Sequence, residues 1–361
     1  MNLLAVAFTV FFSTVTSLVF YTGLNYCIAY FQYHHQLIFF FPFVGLLIVF
    51  LNQNQYRIKS NFMLVITTLL SHMFGASMGR EHTIILIGKN IGKKISNSMS
   101  SPALKDWLPS FGASSAFAAT LGQPLSALAF VSEEGLLPGK KISFLILLIL
   151  SAFCSSFFGT IFIQDRLQFD GFLYNLNFSF SSIAIQVLLA LLFYILVKAT
   201  ELLQKKSLFP YLKMFLLAAL YMILLYTFDL YDYGNLSLDI LKQTFQNPEW
   251  ASSQSSYSGL IKYGLSALCL AAGFAGGEFT ISLVIGTLLG LNLYPLIHGW
   301  TSISSYEFFA LSMIYYMSFK MRKPLTGLLL CFELFNFSFA IGSLPIFIFS
   351  FLSRGANKKD Q

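Results

Sequence analysis

The sequence predicts an all-α, polytopic membrane protein made of two repeated halves, and two observations support this. Of its 361 residues, 56% are hydrophobic and only 10% are charged, and the mean hydropathy is +0.71. Soluble domains carry about 25% charged residues. Two short motifs also recur in the same order along the chain at nearly one spacing, which indicates a duplicated half of the kind from which many transporters are built.

Apolar segments of two kinds follow one another along the chain. Long segments, near the length of about 20 residues that crosses a bilayer, occur at 3–24, 142–163, 179–197 and 209–228. Shorter segments, many of them interrupted by Gly or Pro, occur at 36–51, 61–74, 81–92, 112–131, 259–273, 279–293, 307–319 and 324–335. Short segments in matching positions of two halves point to broken helices and a binding site near the membrane midplane.

The chain is expected to form one membrane domain over residues 1–361. Its halves are predicted to comprise residues 1–170 and 171–353, followed by a short charged tail at 354–361. Positions 1–56 contain no Asp, Glu, Lys or Arg, so the first segment is expected to be a retained helix rather than a cleaved signal peptide.

The net charge of +7 comes from Lys and Arg in short connections, as in cytoplasmic loops, and indicates membrane topology rather than binding to nucleic acid. With no targeting feature and no appended regulatory domain in view, we expect a multi-pass protein of a bacterial inner membrane.

The first repeated motif, G-x-E-x-T-I-x-L, begins at Gly79 and again at Gly276, which is 197 residues later. Each copy places an acid, Glu81 or Glu278, at the start of an apolar run, where a carboxylate is costly and calls for a function. Glycines before a helix expose its first unpaired N–H groups. Together with the positive end of the helix dipole, these groups form an anion site.

The carboxylate of Glu81 is itself an anion at such a position. It could fill the site when no dissolved anion is bound, and protonation would release it, which would link anion entry to proton movement. The alternative is that Glu81 only caps its own helix. Thr280 would add a hydroxyl donor in the second copy, and an inverted arrangement of the halves would bring both helix N-termini to one shared site.

The second repeated motif, P-L-S/T-x-L, leads into acidic residues. It occurs at 124–134, with Glu133 and Glu134, and 200 residues later at 324–333, with Glu333. Glu133 and Glu134 are either a solvated helix end or part of a proton path. Glu333 lies deeper in an apolar run, so it is expected to be paired or protonated.

Enzymatic chemistry is not expected. The polar loops contain no nucleophile–base pair, no G-x-S-x-G and no phosphate loop. The four cysteines lie in apolar runs without metal-type spacing, so no cofactor or metal is expected.

These motifs together resemble those of the CLC family of chloride channels and anion/proton antiporters. G-R-E-H-T at 79–83 is similar to the family's G-R-E-G-P, and G-G-E-F-T at 276–280 is similar to its G-G-x-F-x-P. Residues 122–134 and 322–334 resemble its two P-L-x-G…E helices, and the likeness spans the chain from about residue 36 to the last helix. The resemblance implies a CLC-type fold with two inverted repeats, broken helices meeting at the midplane, and a homodimer with one pore per subunit.

Details of the motifs are closer to the fluoride-exporting branch. Thr83 stands where other branches have Pro, and Glu278 and Thr280 match that branch's G-G-E-V-T. The resemblance therefore implies a fluoride/proton antiporter that exports fluoride, with Glu81 as the gating glutamate and Glu278 as a second coupling glutamate. The alternatives are a chloride channel or chloride/proton exchanger of the same fold, against which Glu278 argues, and a non-transporting paralogue.

The motifs and the resemblance together indicate a set of anion-binding residues. These are Gly79, Arg80, His82, Thr83, Gly277, Phe279, Thr280, Phe337 and Phe339.

Three features of the sequence depart from the family, and two of them, the missing tyrosine and the missing loop, favour the non-transporting alternative. His82 replaces a glycine, and Phe337 and Phe339, the positions nearest to the family's central tyrosine, lack a hydroxyl. The anion-binding loop that the family carries before the first motif has no counterpart in residues 51–60, which lead directly into the next helix.

Overall fold

The computed structural model describes residues 2–55, 61–138, 142–163, 180–203, 210–247, 250–251, 254, 256–274, 276–300 and 303–345. Within these residues the protein is all-α, as predicted, with fifteen α-helices and no strand beyond a single pair of bridged residues. The helices of the first half are α1 (Asn2–Tyr33), α2 (Phe41–Gln55), α3 (Asn61–Met73), α4 (Glu81–Ser96), α5 (Pro102–Leu121), α6 (Pro124–Glu133) and α7 (Ile142–Phe162). Those of the second half are α8 (Phe180–Leu203), α9 (Pro210–Thr227), α10 (Leu238–Gln246), α11 (Ser258–Ala272), α12 (Phe279–Ile297), α13 (Ser305–Met321), α14 (Pro324–Leu334) and α15 (Phe337–Gly342).

Two lengths of helix alternate in the fold. Long apolar helices that could cross a bilayer occur among the described residues at Leu3–Tyr33, Ile142–Phe162, Ser181–Leu202 and Phe279–Trp300. Most of the remaining apolar helices are shorter than about 20 residues and therefore reach only part of the way through a bilayer. The predicted polytopic membrane architecture with broken helices is confirmed.

The two halves are inverted with respect to each other, as α4 and α12 show. Both helices begin at the same place in the middle of the protein, where Gly79 and Gly277 are bridged. The last turn of α4 carries Lys93 and Lys94, and it lies on what we call the lysine-rich face. α12 runs the other way, and Asn292 near its end accepts a hydrogen bond from the backbone of Gly259 at the start of α11. This opposite face also carries the 3-10 helix Tyr231–Tyr233 and α10.

Glycines at matching positions allow the two central helices to pack closely. A Cβ at Gly88 or Gly92 on α4 would collide with the backbone of α5, and one at Gly286 on α12 would collide with the backbone of α13. Small residues at such crossings let helix backbones approach in a membrane, where van der Waals packing replaces the hydrophobic effect. This packing fixes the directions of α4 and α12 and thereby the position of their N-termini.

The polar composition of residues 231–259 predicts a long water-facing loop, but part of this stretch is helical. Helix α10 buries Ile240, Leu241 and Phe245 on one side, against the large core that also contains α12 and α13. Because its other residues are polar, α10 contains no long apolar run by which the sequence would reveal it. Three predictions fall on residues outside the described ones. They are the junction of the halves near residue 170, the tail at 354–361, and the expected absence of the family's anion-binding loop at residues 56–60.

Candidate functional site

The two copies of the first motif meet through their backbones at the centre of the molecule. The N–H of Gly79 donates to the carbonyl of Gly277 over 2.6 Å, and the N–H of Gly277 donates back to the carbonyl of Gly79 over 2.5 Å. We call this pair of bonds the glycine bridge. It places the first turns of α4 and α12 side by side, as expected for one shared site.

Both positions of the glycine bridge require glycine because of close approach. A Cβ at Gly79 would lie 2.8 Å from the carbonyl oxygen of Gly277 and 2.9 Å from Oε2 of Glu81. A Cβ at Gly277 would lie 2.8 Å from the backbone nitrogen of His82. Real Cβ atoms do not come so near to backbone atoms, so any side chain would push the two helix starts apart.

The carboxylate of Glu81 crosses from its own half to the other half. Oε2 accepts a hydrogen bond from the backbone N–H of Thr280 over 3.2 Å, and Oε1 accepts one from the Thr280 hydroxyl. Thr280 lies in the first turn of α12, where backbone N–H groups lack partners within the helix. Glu81 is 1% exposed, so its carboxylate fills a buried anion position at the N-terminus of α12.

Glu81 stands in the first turn of α4, where its carboxylate accepts the N–H of the N-cap residue Arg80 at 3.1 Å. Capping of its own helix is therefore not its sole contact, because the same carboxylate also reaches Thr280. The guanidinium of Arg80 lies with Nε 3.6 Å from Oε1 of Glu81, above the ring of Tyr21 at 4.0 Å, and donates to Asn25 over 3.3 Å. A buried cation therefore compensates part of the charge of the carboxylate.

A cavity of about 310 Å³ adjoins Glu81. We call it the inner cavity. It is lined by Met78, Glu81, His82, Ile85, Phe130, Glu134, Leu270, Phe274, Gly276, Gly277, Glu278, Phe279 and Met321. Phe279 forms an apolar wall, since its ring packs edge-on against Phe117 at 5.2 Å. His82 is exposed beside Glu81, so the cavity carries further titratable groups next to the buried carboxylate.

Two acids of the inner cavity pair with lysines, one in the last turn of α13 and one just before α14. Glu278, the N-cap residue of α12, lies 3.4 Å from Nζ of Lys320. Glu134 forms an ion pair with Lys323, whose ammonium also lies 4.2 Å from the centre of the Phe130 ring. The cavity wall therefore places a cation beside each of these two acids.

A second, polar cavity of about 500 Å³ lies on the opposite face. We call it the outer cavity. Tyr21 and Asn25 of α1 line it together with the chain around Asn235. Because Tyr21 and Asn25 are the contacts of the Arg80 guanidinium, Arg80 and Glu81 separate the two cavities. This arrangement provides two aqueous approaches to one central anion position.

The acids of the second motif cap each other's helices. Glu133 at the end of α6 accepts the N–H groups of Leu325 and Thr326 at the start of α14, at 3.0 and 2.9 Å. Glu333 on α14 accepts those of Leu125 and Ser126 at the start of α6, at 2.7 and 2.9 Å.

Glu333 is therefore paired, as expected, but with a helix N-terminus. The neighbouring lysines Lys320 and Lys323 pair with other acids. Glu134 lines the inner cavity and Glu133 does not.

Several predicted anion-binding residues lie elsewhere. The hydroxyl of Thr83 is buried and hydrogen-bonded to that of Thr68 over 2.8 Å, rather than to Glu81. Phe337 is 66% exposed, and Phe339 is buried against Phe335; neither lines the inner cavity. The structure brings together Gly79, Arg80, Glu81, His82, Gly277, Glu278, Phe279 and Thr280.

The sequence did not reveal the contributions of Tyr21, Asn25 and Lys320. Tyr21 and Asn25 lie in the long apolar helix α1, four residues apart, which places them on one helical face. A polar pair at that spacing in an apolar segment is a signal that could have been used. Lys320 follows a run of buried residues in α13. Its ion pair with Glu278 depends on the tertiary structure, because the two residues are far apart in the sequence.

Comparisons with known proteins agree with this geometry. The family model described as "Voltage gated chloride channel" matches residues 47–357. The crystal structure of a CLC-type fluoride/proton antiporter superimposes with a TM-score of 0.81 at 20% identity, covering 97% of this chain and 94% of that one. The structure of a slow cyanobacterial Cl⁻/H⁺ antiporter superimposes with a TM-score of 0.72 at 16% identity, covering 97% and 93%. No curated protein sequence matches the chain significantly.

Proposed function

Because this chain belongs to the voltage-gated chloride channel (CLC) family, we propose that it is a fluoride/proton antiporter of a cell membrane, with Glu81 as the gate that couples the two ions. The observation that carries the proposal is the contact between the carboxylate of Glu81 and Thr280. A carboxylate that accepts the N–H and the hydroxyl at the start of α12 occupies the place that a dissolved anion would take.

The exchange follows from competition for these two donors. When Glu81 is ionised, its carboxylate holds the Thr280 N–H and hydroxyl and excludes a dissolved anion. When it is protonated, the neutral carboxyl group loses most of its attraction for the helix N-terminus, and an anion can replace it. The Glu81 side chain therefore either carries a proton or occupies the position of the anion. As a result, the movement of each ion depends on that of the other.

Protons are proposed to reach Glu81 through the inner cavity. His82, Glu134 and Glu278 line this cavity together with Glu81, so water and carboxylates offer a chain of acceptors from the lysine-rich face. The ion pairs with Lys320 and Lys323 hold Glu278 and Glu134 in the wall. In this scheme Glu278 is the second coupling glutamate, and Glu133 has a structural use as a helix cap.

Fluoride is proposed as the substrate because the site offers two small hydrogen-bond donors, the N–H and the hydroxyl of Thr280, at the positive end of a helix dipole. A small, strongly hydrated anion must recover a large desolvation cost from close hydrogen bonds. Glu278 and Thr280 resemble the fluoride-exporting branch, and one of the similar structures is described as a fluoride/proton antiporter. Chloride remains the competing substrate, since the other similar structure is described as a Cl⁻/H⁺ antiporter.

The test is anion efflux from liposomes that contain the purified protein, followed with fluoride and chloride electrodes and a pH probe. We expect fluoride efflux with coupled proton uptake and little chloride flux. Chloride flux of equal or greater size would replace fluoride by chloride in the proposal. Absence of both fluxes in a folded protein would favour the non-transporting alternative.

Two threonines of α12 provide a matched pair of variants. Thr280→Val removes the hydroxyl that contacts Glu81, and we expect fluoride turnover to fall about tenfold, the effect of losing 1.4 kcal/mol of binding. Thr287→Val removes an equally buried hydroxyl that bonds only to the backbone of Leu283 at 3.0 Å, and turnover should stay within about twofold. Equal effects of both variants would argue against Thr280 as an anion ligand.

We also propose that the active unit is a homodimer in a bacterial inner membrane, as the resemblance implies. Crosslinking in native membranes at low protein density tests the dimer. A monomer with full transport activity would contradict it.

A further inference from the structure

A groove on the outer side of the helix bundle lies apart from both cavities described above. It has a volume of about 640 Å³, and it runs between α1 and the last part of α4. We call it the side groove. The residues that α1 contributes lie about four positions apart and so share one helical face; they are Leu4, Ala5, Phe8, Phe12 and Thr16.

The wall that α4 and the turn after it contribute combines apolar side chains with a single charge. Ile91, Ile95 and Met99 line the groove together with Lys94 and Ser98. The hydroxyl of Ser98 already donates to the carbonyl of Ile95 over 2.7 Å, so Lys94 is the donor that this wall offers to a ligand.

The positive charge beside the side groove is not compensated. Helix α1 contains no Asp, Glu, Lys or Arg, and no acid occurs from position 82 to 105, whereas four lysines do. Lys93 and Lys94 are both exposed, and neither forms an ion pair with any residue that the structure describes. An anionic group is therefore the ligand whose charge fits this end of the groove.

The side groove extends through about one leaflet of a bilayer. Leu4 and Thr16 lie 12 residues apart on α1, which corresponds to about 18 Å along the helix axis. Half of the hydrocarbon core of a bilayer measures about 15 Å. Lys94 lies in the last turn of α4, on the lysine-rich face, so the charge stands toward the membrane surface.

We propose that the side groove binds one anionic glycerophospholipid from the leaflet on the lysine-rich face. One acyl chain would lie along Phe8, Phe12 and Ile95, and the ammonium of Lys94 would bind the phosphate. The rings of Phe8 and Phe12, which stack with their centroids 6.0 Å apart and are each 48% exposed, form a continuous apolar wall for that chain. This site does not depend on the proposed transport function, and its test measures binding alone.

Charge favours an anionic lipid over other occupants. A zwitterionic lipid carries an ammonium or choline group that the uncompensated lysines would repel. A second copy that packed its own α1 there would bury Lys94 without a counter-charge, because α1 has no acid. Lysine-rich connections are typical of the cytoplasmic side, where basic segments attract anionic lipids.

The competing explanation is that Lys93 and Lys94 only offset the negative end of the α4 dipole. Both lysines stand in the last turn of α4 and both are exposed, so that role belongs to both alike. Of the two, only Lys94 lines the side groove. The two neighbours therefore provide a matched pair of variants.

Native mass spectrometry of the purified protein, titrated with dioleoylphosphatidylglycerol or with dioleoylphosphatidylcholine, measures the affinity of the first bound lipid. We expect Lys94→Ala to bind phosphatidylglycerol about fivefold more weakly and Lys93→Ala to stay within about twofold of the wild type, with no change for phosphatidylcholine in either variant. Lys94→Arg keeps the charge and should keep the wild-type affinity. Equal losses in Lys93→Ala and Lys94→Ala, or equal affinity of the wild type for the two lipids, would overturn the site.

A second pair of variants tests the place of the acyl chain. Thr16→Trp fills the deep end of the groove and should weaken the binding of phosphatidylglycerol at least about tenfold. Val15→Trp places the same ring at the neighbouring position, which is 41% exposed and outside the groove, and should bind as the wild type does. Wild-type affinity in Thr16→Trp at an unchanged melting temperature would overturn the proposal. If that variant also changed its oligomeric state, the groove would belong to a second copy of the chain instead.

Discussion

The two pairs of duplicated acids in this protein behave differently. Glu133 and Glu333 are reciprocal, since each caps the first turn of the helix in the other half. Glu81 and Glu278 are not: Glu81 is buried and reaches across to Thr280, whereas the Glu278 side chain is 26% exposed and pairs with Lys320. Reciprocal contacts fasten two halves together, and a one-sided contact leaves one acid able to move away from a site that the other half provides.

The reason for the one-sided contact lies in the residues next to the acids. Arg80 precedes Glu81 and supplies a buried positive charge, whereas Gly277 precedes Glu278 and supplies none. Thr83, the counterpart of Thr280, is bonded to Thr68 and does not receive an acid. In the proposed exchange, the first half therefore contributes the acid that moves and the second half contributes the anion site.

The largest expected effect tests this assignment of roles. In Glu81→Gln the side chain can no longer exchange a proton, so we expect proton flux to fall at least about tenfold relative to anion flux, which corresponds to 1.4 kcal/mol or more. Liposome efflux with simultaneous pH recording measures the ratio. Glu307→Gln is the control, because glutamine also serves in the capping box that Glu307 forms with Ser304. Unchanged coupling in Glu81→Gln would show that the one-sided contact is not the gate.

The second effect concerns the reciprocal pair. Glu333→Ala leaves the N–H groups of Leu125 and Ser126 without their acceptor, and we expect a loss of about 1–3 kcal/mol in the free energy of unfolding. Thermal unfolding in detergent measures it, and Glu133→Ala should lose a similar amount through Leu325 and Thr326. Either variant could instead change the ratio of proton flux to anion flux without lowering stability. In that case the distinction between acids that hold the two halves together and an acid that gates the site would be wrong.

A smaller effect is expected for the second coupling glutamate. Glu278→Gln keeps the shape of the side chain but weakens its pairing with Lys320, so fluoride turnover should fall about three- to tenfold, or roughly 1 kcal/mol. The yield of folded protein should not change. Equal losses of turnover and yield would assign Glu278 to folding instead.

The smallest effect is expected at His82, which lies in the wall of the inner cavity. His82→Gly should raise fluoride turnover by about two- to threefold if the ring narrows the approach to Glu81, a change below 1 kcal/mol. Stopped-flow efflux at saturating fluoride measures it. No increase would mean that His82 does not obstruct the path, and the comparison between the two acids would stand without it.

Much of the fold could be predicted because a segment that crosses lipid must be apolar and must satisfy its own backbone hydrogen bonds, as a helix does. The apolar runs at 142–163 and 324–335 correspond to α7 and α14 within about one residue. The repeated motifs predicted that the chain consists of two similar halves. Helix α10 was missed because its apolar residues occupy one face only, so no long apolar run marks it.

The candidate site was predicted in part. Glu81, Thr280 and the glycines stand at the start of helices, where unpaired N–H groups are required by the geometry of any helix. The partner of each acid depends on how the halves face each other, and this explains why the caps made by Glu133 and Glu333 were not foreseen. Phe337 was predicted to bind the anion because it lies nearest in sequence to the position of the family's central tyrosine. Distance along the chain does not determine the direction in which a side chain of a short helix points.

The glycine bridge limits the kind of motion that the protein can use. Two backbone hydrogen bonds at the centre and two caps between α6 and α14 would have to break before the halves could swing apart as rigid bodies. The exchange proposed for Glu81 requires only the rotation of its side chain. The outline that the protein presents to the surrounding lipid should therefore stay constant through the cycle, and the turnover rate should respond little to the thickness or lateral tension of the bilayer.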